Sequence, residues 1–358
     1  RLVGSEMCIR DRERRWKMKH CLSAMIRYGV FLILLLLTFG CRKDLCYDHE
    51  LHSASVKTVV AADWEQEWER VYDFDWEQNW NVLWGREYDE LRPDIAEGIR
   101  ALVYSAGGGF SENNLSAEGG RLPMKEGVYS LLFYNNDTEY ILFNDLTTSA
   151  SASATTRTRT RGGFKELHAG ERTVSPPDML YGAYVKEHFA ERTLESIELP
   201  VIMRPLTYTY LIRYEFKKGA QYVALARGAL AGMAESVYLE DGHTGADAVT
   251  VMFDCTVEDF GAEALVYSFG VPDYPGDHYV MGRQGKHYAL NLEVRMLNGK
   301  FKTFEFDVTD QVTGQPRGGV IVVKDIEISD EEGTEGSGSF DVTVDGWGDY
   351  IDVELPLN

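Results

Sequence analysis

The stretch that decides the fold is residues 207–216, which reads TYTYLIRYEF. Aromatic and aliphatic side chains occupy every second position on one side of this stretch: Tyr208, Tyr210, Ile212, Tyr214 and Phe216. Residues 207, 209, 211, 213 and 215 form the other side. An alternation with a period of two is typical of a β-strand, since successive side chains of a strand point to opposite faces. The stretch therefore predicts a strand with one buried face.

The same alternation returns further along the chain. Residues 290–296 alternate apolar and polar side chains, Asn298-Gly299 follows, and residues 304–308 alternate again. An Asn-Gly pair between two alternating runs is a strong indication of a β-hairpin. A second hairpin is predicted where residues 129–134 and 140–143 flank the turn-forming tetrad Asn135-Asn136-Asp137-Thr138.

Further strands are expected at residues 320–328, 340–344 and 350–355, and long amphipathic helices are scarce. Many short strands separated by turns indicate an all-β protein made of sandwiches or barrels. The low-complexity run at residues 147–163 is expected to form a surface loop or an exposed edge. A short helical or irregular stretch is expected between the Ser175-Pro176-Pro177 turn and Pro200.

The length and these breaks suggest two domains. A chain of 358 residues is long for one domain, and a break near Pro200–Pro205 leaves two parts that can each bury a core. We expect one domain over residues 56–200 and a second over residues 201–358.

Composition and charge exclude several classes of protein. Apolar residues make up 44% of the chain and charged residues 26%, which is typical of a globular protein. The net charge of −21 argues against a general nucleic-acid binder, because contacts with phosphates require a basic face. The first 40 residues are basic on balance, so a basic head precedes an acidic body. That asymmetry indicates a targeting segment.

The head has the layout of a lipoprotein signal peptide over residues 18–40. Basic residues follow Met18, and residues 29–40 form an apolar run that is too short to span a membrane. The run ends at Cys41, the predicted site of lipidation by palmitate and related acyl chains, and residues 41–55 would form a tether. An ordinary secretory signal or a short anchor helix is the alternative. Residues 1–17 resemble translated adapter sequence, so Met18 is the predicted start; a genuine long n-region is the alternative.

Two further cysteines lie beyond Cys41, namely Cys46 and Cys255. Two cysteines do not make a disulfide framework. Cys255 lies on the same side of its predicted strand as the apolar residues before it, which predicts a buried free thiol.

Closely spaced tryptophans form the most conspicuous local pattern. The near-repeat Trp64-Glu-Gln-Glu-Trp68 and Trp76-Glu-Gln-Asn-Trp80 is followed by Trp84. Spacing by four places indoles on one helical face. These residues are either an aromatic platform for a sugar or a partner, or a cover over the end of a β-sandwich core. The second interpretation is the one we favour.

Motifs for catalysis or cofactor binding are missing from the sequence. We find no phosphate-binding loop, no dinucleotide fingerprint and no nucleophile elbow. The nearest metal-like group is Cys46, Asp48, His49 and His52 on the tether. It lacks a complementary set of ligands, so neither a metal site, a cofactor nor a catalytic residue is predicted.

Several motifs resemble those of known lipoproteins. The motifs are residues 43–49 (KDLCYDH), 127–139 (GVYSLLFYNNDTE), 177–182 (PDMLYG), 229–233 (ALAGM), 306–310 (FDVTD) and Gly346-Trp347. They resemble an uncharacterised family of Bacteroides-type lipoproteins and, more distantly, the anchor lipoproteins of Bacteroidota fimbriae. The resemblance implies two transthyretin-like β-sandwiches on an outer-membrane lipid anchor, with no catalytic residues.

These observations lead to one expected function and two alternatives. We expect a non-enzymatic outer-membrane lipoprotein that anchors or assembles fimbriae, with fimbrial subunits or other envelope proteins as partners bound at strand edges. Display on the surface or on the periplasmic face is left open. The alternatives are a surface glycan-binding lipoprotein that uses Trp64, Trp68, Trp76 or Trp80, and an enzyme of unrecognised type.

Overall fold

The computed structural model describes residues 55–70, 74–159, 168–276 and 286–335. The predicted signal peptide, Cys41, the tether before residue 55 and the strands expected at residues 340–344 and 350–355 lie outside the described residues.

The regular secondary structure of the described chain consists almost entirely of strands, so the predicted all-β class is confirmed. In chain order the strands are β1 Ser55–Val56, β2 Thr58–Trp64, β3 Gly98–Ser105, β4 Phe110–Ser116, β5 Gly119–Arg121, β6 Gly127–Asn135, β7 Ile141–Asn144, β8 Ser153–Thr156, β9 Arg172–Val174, β10 Tyr181–Ala190, β11 Arg192–Thr193, β12 Ile197–Pro205, β13 Tyr208–Lys218, β14 Val223–Ala234, β15 Val237–Tyr238, β16 Ala248–Glu258, β17 Gly261–Ser268, β18 Ala289–Met296, β19 Phe301–Asp307 and β20 Gly319–Glu327.

Helical structure is confined to short pieces. The α-helices in the described residues are α1 Thr309–Gly314 and α2 Asp330–Thr334, and short 3-10 turns lie at Val82–Trp84, Tyr88–Leu91 and Ala220–Tyr222. Helix α2 begins with a capping box, in which the Ser329 side chain accepts from the Glu332 N–H and Glu332 accepts from the Ser329 N–H.

Seven of the strands up to Pro205 close into a barrel in the order β10-β12-β2-β5-β4-β3-β6. The closure follows from pairing between the first long strand and a late one, because β2 lies parallel to β12 from Thr58↔Ile197 to Trp64↔Met203. Ile99, Leu131 and Phe133 are fully buried in its core. The strand pattern leaves sandwiches and barrels open and the family resemblance implies a sandwich, but neither reveals the closure. The helical or irregular stretch expected before Pro200 is wrong, since β10 and β12 occupy it.

The strands from Tyr208 onward form a larger sheet in the order β19-β18-β14-β16-β17-β13-β20, and β9 pairs with β16. Strand β16 bends from β14 at its start to β17 at its end, and the sheet thereby folds over one core. Tyr210, Ile212, Leu230 and Leu292 are fully buried in this core.

A small third sheet, β15-β8-β7, crosses between the two strand systems. Strand β8 lies within the run 147–163 that was expected to be a surface loop, and Ala152 and Ala154 are fully buried there. That expectation is therefore wrong for residues 152–156. The domain limits 56–200 and 201–358 stay predictions.

Strand β13 has both faces buried over residues 208–214, so the prediction of one buried face is wrong. One face packs into the sheet core through Tyr210 and Tyr214. The other face packs through Leu211 against a cluster that contains Trp68. The cover on the second face comes from residues far away in sequence, which local alternation does not detect.

The two predicted hairpins have different outcomes. Strands β18 and β19 pair around the Asn298-Gly299 turn from Ala289↔Asp307 to Arg295↔Phe301, which confirms the first. The second is wrong, because β6 pairs with β3 and β10, whereas β7 pairs with β8 in another sheet.

Candidate functional site

The most unusual edge in the described chain lies between β10 and β12. These strands follow each other in sequence and would form a hairpin, yet they pair only at Tyr181↔Pro205 and Gly182↔Arg204. Residues 183–190 of β10 and 197–203 of β12 then separate, each still paired on its other side. We call these two facing segments the seam.

The backbone register shows which groups face the seam. Leu206 N–H donates to Leu180 O, so the even-numbered residues of β10 turn their backbone groups toward β12. The next hydrogen-bonded pair of this ladder would be Tyr184 with Ile202, and it is not formed. The ladder thus stops at the pair Gly182–Arg204.

A proline and a bulge explain why the ladder does not resume. Ile197 N–H donates to Lys57 O, so the odd-numbered residues of β12 face β2, and Pro200 faces the seam. Proline has no N–H to donate to the facing strand. In the continued register Pro200 would lie opposite Lys186, where β10 has a bulge between Val185 and His188. Both irregularities keep the seam open.

A cavity of about 380 Å³ lies at the point where the ladder stops. Its wall includes Tyr184 from β10, Ile202 from β12 and the buried Arg317, whose guanidinium donates to the Tyr208 hydroxyl and to Gly242 O. Arg70 and Arg204 also line it, and Glu65 pairs with both. The cavity therefore combines an apolar wall with the paired charges of Arg70 and Arg204.

Apolar side chains on the outer side of the seam are exposed. Phe189 on β10 is 57% exposed and Ile202 on β12 is 48% exposed, and Val128 lies next to Phe189 in the register of β6 and β10. Unpaired backbone groups beside exposed apolar side chains are what an added β-strand requires. No sequence motif marked these residues; the signal that could have found them is Pro200 within an apolar strand.

The edge of β20 is occupied by side chains. Gln311 lies on α1, and Gln315 follows the last residue of this helix, about one turn later. The Gln315 amide donates to Val320 O (2.8 Å) and accepts from Val320 N–H (2.7 Å). The Gln311 amide makes the same two bonds with Val322, at 3.1 and 2.9 Å. The two amides therefore take the place of a neighbouring strand.

The edge of β19 has no such cover in the described chain. β19 ends the larger sheet and pairs with β18 alone among the described strands. Met296 N–H donates to Lys300 O and Val308 N–H to Tyr288 O, so even-numbered residues of β19 face β18. The backbone groups of Thr303 and Glu305 face outward.

The tryptophan segment, residues 64–91, contains no α-helix in its described part, so the expectation of one helical face is wrong. Trp64 ends β2, where its Nε1–H donates to Ala117 O and its ring meets Tyr181 edge-on at 4.9 Å. Trp76 and Trp80 lie in a turn region, and their ring centroids are 5.9 and 5.0 Å from that of Trp84.

The structure brings three of the four predicted platform residues together and separates the fourth. Trp68, Trp76 and Trp80 pack in one cluster with Leu211 and Val320, whereas Trp64 belongs to the barrel. Trp68 is 1% exposed, which leaves no ring face for a sugar to stack on. This arrangement covers the outer face of β13 and β20.

A buried carboxyl lies beside this cluster. Tyr88 donates to Glu69 Oε1 at 2.8 Å, and the Trp68 ring lies 5.2 Å from the Tyr88 ring. Burial raises the pKa of Glu69 to about 7, and the hydrogen bond from Tyr88 opposes that rise. Burial also raises the pKa of Tyr88 above its usual range.

Other predicted site features give little chemistry. Cys255 is a free thiol, partly buried against the core of the larger sheet, and burial raises its pKa. A raised pKa disfavours the reactive thiolate. No group of His, Cys, Asp and Glu in the described ranges could hold a metal ion. The lipidation site Cys41 lies outside the described residues.

In the part of the chain that the structure describes, none of the helices has the length and apolar character needed to cross a membrane.

Comparison with known proteins gives relatives along most of the chain. The family described as "Domain of unknown function (DUF5119)" matches residues 84–254. A curated Bacteroides ovatus protein, named "Putative fimbrium anchoring subunit Fim4B", is 23% identical over 363 residues. The alignment covers 93% of this chain and 99% of that relative. The predicted resemblance to the fimbrial anchor proteins of Bacteroidota is confirmed.

A solved structure supports the fold. The crystal structure of a "putative adhesin" from Bacteroides ovatus is 19% identical, with a TM-score of 0.51. The match covers 81% of this chain and 99% of that one. At this identity the likeness extends to the fold.

Proposed function

We propose that this chain is a non-enzymatic cell-envelope lipoprotein that anchors or assembles a fimbrium by pairing with a strand of a fimbrial subunit. The curated relative named as a fimbrium anchoring subunit supports the role. The observation that carries the mechanism is the open seam between β10 and β12.

Strand addition uses the backbone groups that the seam leaves unpaired. An extended segment of a fimbrial subunit would pair first with Tyr184 and Ile202, where the β10–β12 ladder stops. Main-chain hydrogen bonds would supply affinity, and pockets for alternate side chains would supply specificity. The cavity beside Tyr184 would receive one side chain of that segment.

The edge of β20, at one end of the larger sheet, is closed. Gln311 and Gln315 occupy the backbone groups of Val320 and Val322 on β20. A partner strand would have to displace α1, whose Val312 is fully buried. The seam offers backbone groups without that cost.

Attachment to the outer membrane is the second part of the proposal. Cys41 would carry the acyl chains after cleavage of residues 18–40, and more than one chain is needed for stable retention. In cells, Cys41→Ala should leave the precursor uncleaved or release the protein from the membrane fraction. Normal maturation and unchanged fractionation of that variant would contradict lipid anchoring.

The seam is tested by a proline at Ile202. The Ile202 N–H faces the seam and has no partner in the β10–β12 ladder, so Ile202→Pro removes one donor for an added strand and disturbs little else. The matched control is Ile202→Ala, which shortens the side chain and keeps the N–H. The probe is a purified fimbrial shaft subunit from the organism that encodes this chain.

We expect Ile202→Pro to weaken binding of that subunit at least tenfold and Ile202→Ala to weaken it less than threefold. Both variants should keep the wild-type β-sheet circular dichroism spectrum. Equal binding by wild type and Ile202→Pro would move the interaction away from the seam. Failure of wild type to bind the subunit, together with a glycan-array signal abolished in a folded Trp76→Ala variant, would favour glycan binding instead.

A further inference from the structure

Two polar groups in the wall of the cavity at the end of the seam have unused hydrogen-bonding capacity. Arg317 is 9% exposed, and its guanidinium donates to Gly242 O and, at 3.2 Å, to the Tyr208 hydroxyl. Its Nε–H is buried and has no partner in the described chain. Glu240, which follows β15, also lines the cavity, and its Oε2 is buried there without a partner among the described residues. The wall therefore contains a donor and an acceptor that a polar side chain could satisfy.

The guanidinium of Arg317 pairs with no carboxylate of the described residues. Its charged neighbours are replaced by aromatic rings, because it lies 4.1 Å from the ring centroid of Tyr274 and 5.3 Å from that of Tyr208. A ring face attracts a cation, but it leaves the N–H groups in the guanidinium plane without acceptors. Burial of a charged group without hydrogen-bond partners costs free energy. An acceptor that enters the cavity would therefore be stabilised by Arg317.

The cavity as a whole has no excess of positive charge. The lining residues that carry charge are Arg70, Arg204, Arg317, Glu240 and Asp241. Glu65 pairs with both Arg70 and Arg204, and the more exposed Glu67 pairs with Arg70. These carboxylates offset the arginines, so the wall would not favour a carboxylate as the incoming group. A cationic side chain is also disfavoured, because it would lie in one cavity with the buried Arg317.

A residue paired between Tyr184 and Ile202 would point its side chain into this cavity. Tyr184 packs on the outside of the barrel, whereas its neighbours Ala183 and Val185 pack against the barrel core. Tyr184 and Ile202 both line the cavity, and residues directly across neighbouring strands point their side chains to the same face. The side chain of the added residue would therefore lie against the wall that contains Arg317.

We propose that the fimbrial segment that pairs with the seam carries an asparagine or glutamine at this position, with its carboxamide bound by Arg317 and Glu240. The carboxamide oxygen would accept from the guanidinium, and its NH2 group would donate to the carboxylate. A carboxylate in this place would face Glu240, and an aliphatic side chain would leave both polar groups unpaired. This inference rests on the proposed function, since it takes the seam as the site of strand addition.

The test is the affinity of the purified shaft subunit for variants of the full chain, measured by calorimetry. We expect Glu240→Leu and Arg317→Met to weaken binding at least tenfold, because each removes one partner of the carboxamide. Glu240→Gln should weaken it less than threefold, since the new side chain can still accept a hydrogen bond. The matched control is Glu235→Leu, which should bind as wild type does, because Glu235 pairs with Arg172 and neither residue lines the cavity.

Three results would overturn the carboxamide while leaving strand addition at the seam intact, provided that Ile202→Pro still weakens binding. Tighter binding by Glu240→Gln would indicate a carboxylate on the partner, and a tenfold loss in that variant would indicate a cationic side chain. Unchanged binding by Glu240→Leu would show that no polar group reaches this wall, and it decides the test even if Arg317→Met does not fold. Failure of wild type to bind, or no effect of Ile202→Pro, would contradict the proposed function and this inference with it.

Discussion

The side-chain amide of Gln315 pairs with both backbone groups of Val320, at 2.8 Å to the carbonyl and 2.7 Å from the N–H. Gln315 also accepts from Trp76 Nε1–H at 2.9 Å. One buried side chain therefore covers the β20 edge at Val320 and joins it to the tryptophan segment. This contact links edge protection to the cover over β13.

Removing that amide should destabilise the protein. Gln315→Ala would leave the N–H and C=O of Val320 buried without partners, because Val320 is 2% exposed. We expect the free energy of unfolding to fall by about 2–3 kcal/mol, since buried backbone groups that lose their partners cost about 1–3 kcal/mol each. Urea denaturation would measure it. Gln311 is more accessible, so Gln311→Ala should cost less than about 1 kcal/mol, and equal losses would contradict the difference in burial.

Glu69 should make stability depend on pH. Its pKa is about 7 in the folded protein and 4.5 when unperturbed, so the folded state binds the proton more tightly. The stabilisation is fully present below about pH 4.5 and is lost as the pH rises through about 7. The whole change is about 3 kcal/mol, because one pKa unit corresponds to about 1.4 kcal/mol. Denaturation series from pH 4.5 to 8 would measure it.

The control for this effect is a change of charge at an exposed neighbour. Glu69→Gln should remove the fall in the free energy of unfolding between pH 4.5 and 8. It should also raise the free energy of unfolding at pH 8, since the amide stays neutral. Glu67, which pairs with Arg70 at the surface, provides the comparison: Glu67→Gln should keep the fall. An unaltered pH dependence in Glu69→Gln would show that another group titrates.

Trp68 should matter for stability. Trp68→Ala removes a fully buried indole and should lower the free energy of unfolding by about 3–5 kcal/mol. Leu83 lies in the same segment but is 87% exposed, so Leu83→Ala should change stability by less than about 0.5 kcal/mol. Guanidinium denaturation monitored by circular dichroism would compare the two. A small loss for Trp68→Ala would show that the indole cluster adds little to the core.

Local alternation predicts the strands of this protein well and their neighbours poorly. Strand β13 and the β18–β19 hairpin follow from periodicity and from the Asn298-Gly299 turn, because both signals lie within a few residues. The turn at Asn135-Asn136 was recognised, but β6 and β7 enter different sheets. Pairing partners depend on tertiary packing, which a short stretch does not encode.

The candidate site depends still more on distant residues. Pro200 is visible in the sequence, but its position opposite the β10 bulge follows from the register of two strands. The tryptophans were expected to cover a core, and Trp68 lies in one; their helical spacing was misleading because the chain turns at residues 76–79. Spacing alone does not separate a helix from a packed turn.

The measurement that tests the central claim most directly is amide exchange at the seam when the purified shaft subunit is added. Tyr184 and Ile202 should exchange at least tenfold more slowly in the complex, because an added strand would bond their N–H groups. Amides of β12 that face β2, such as that of Val201, should change little. Complex formation with unchanged exchange at Tyr184 and Ile202 would contradict strand addition at the seam.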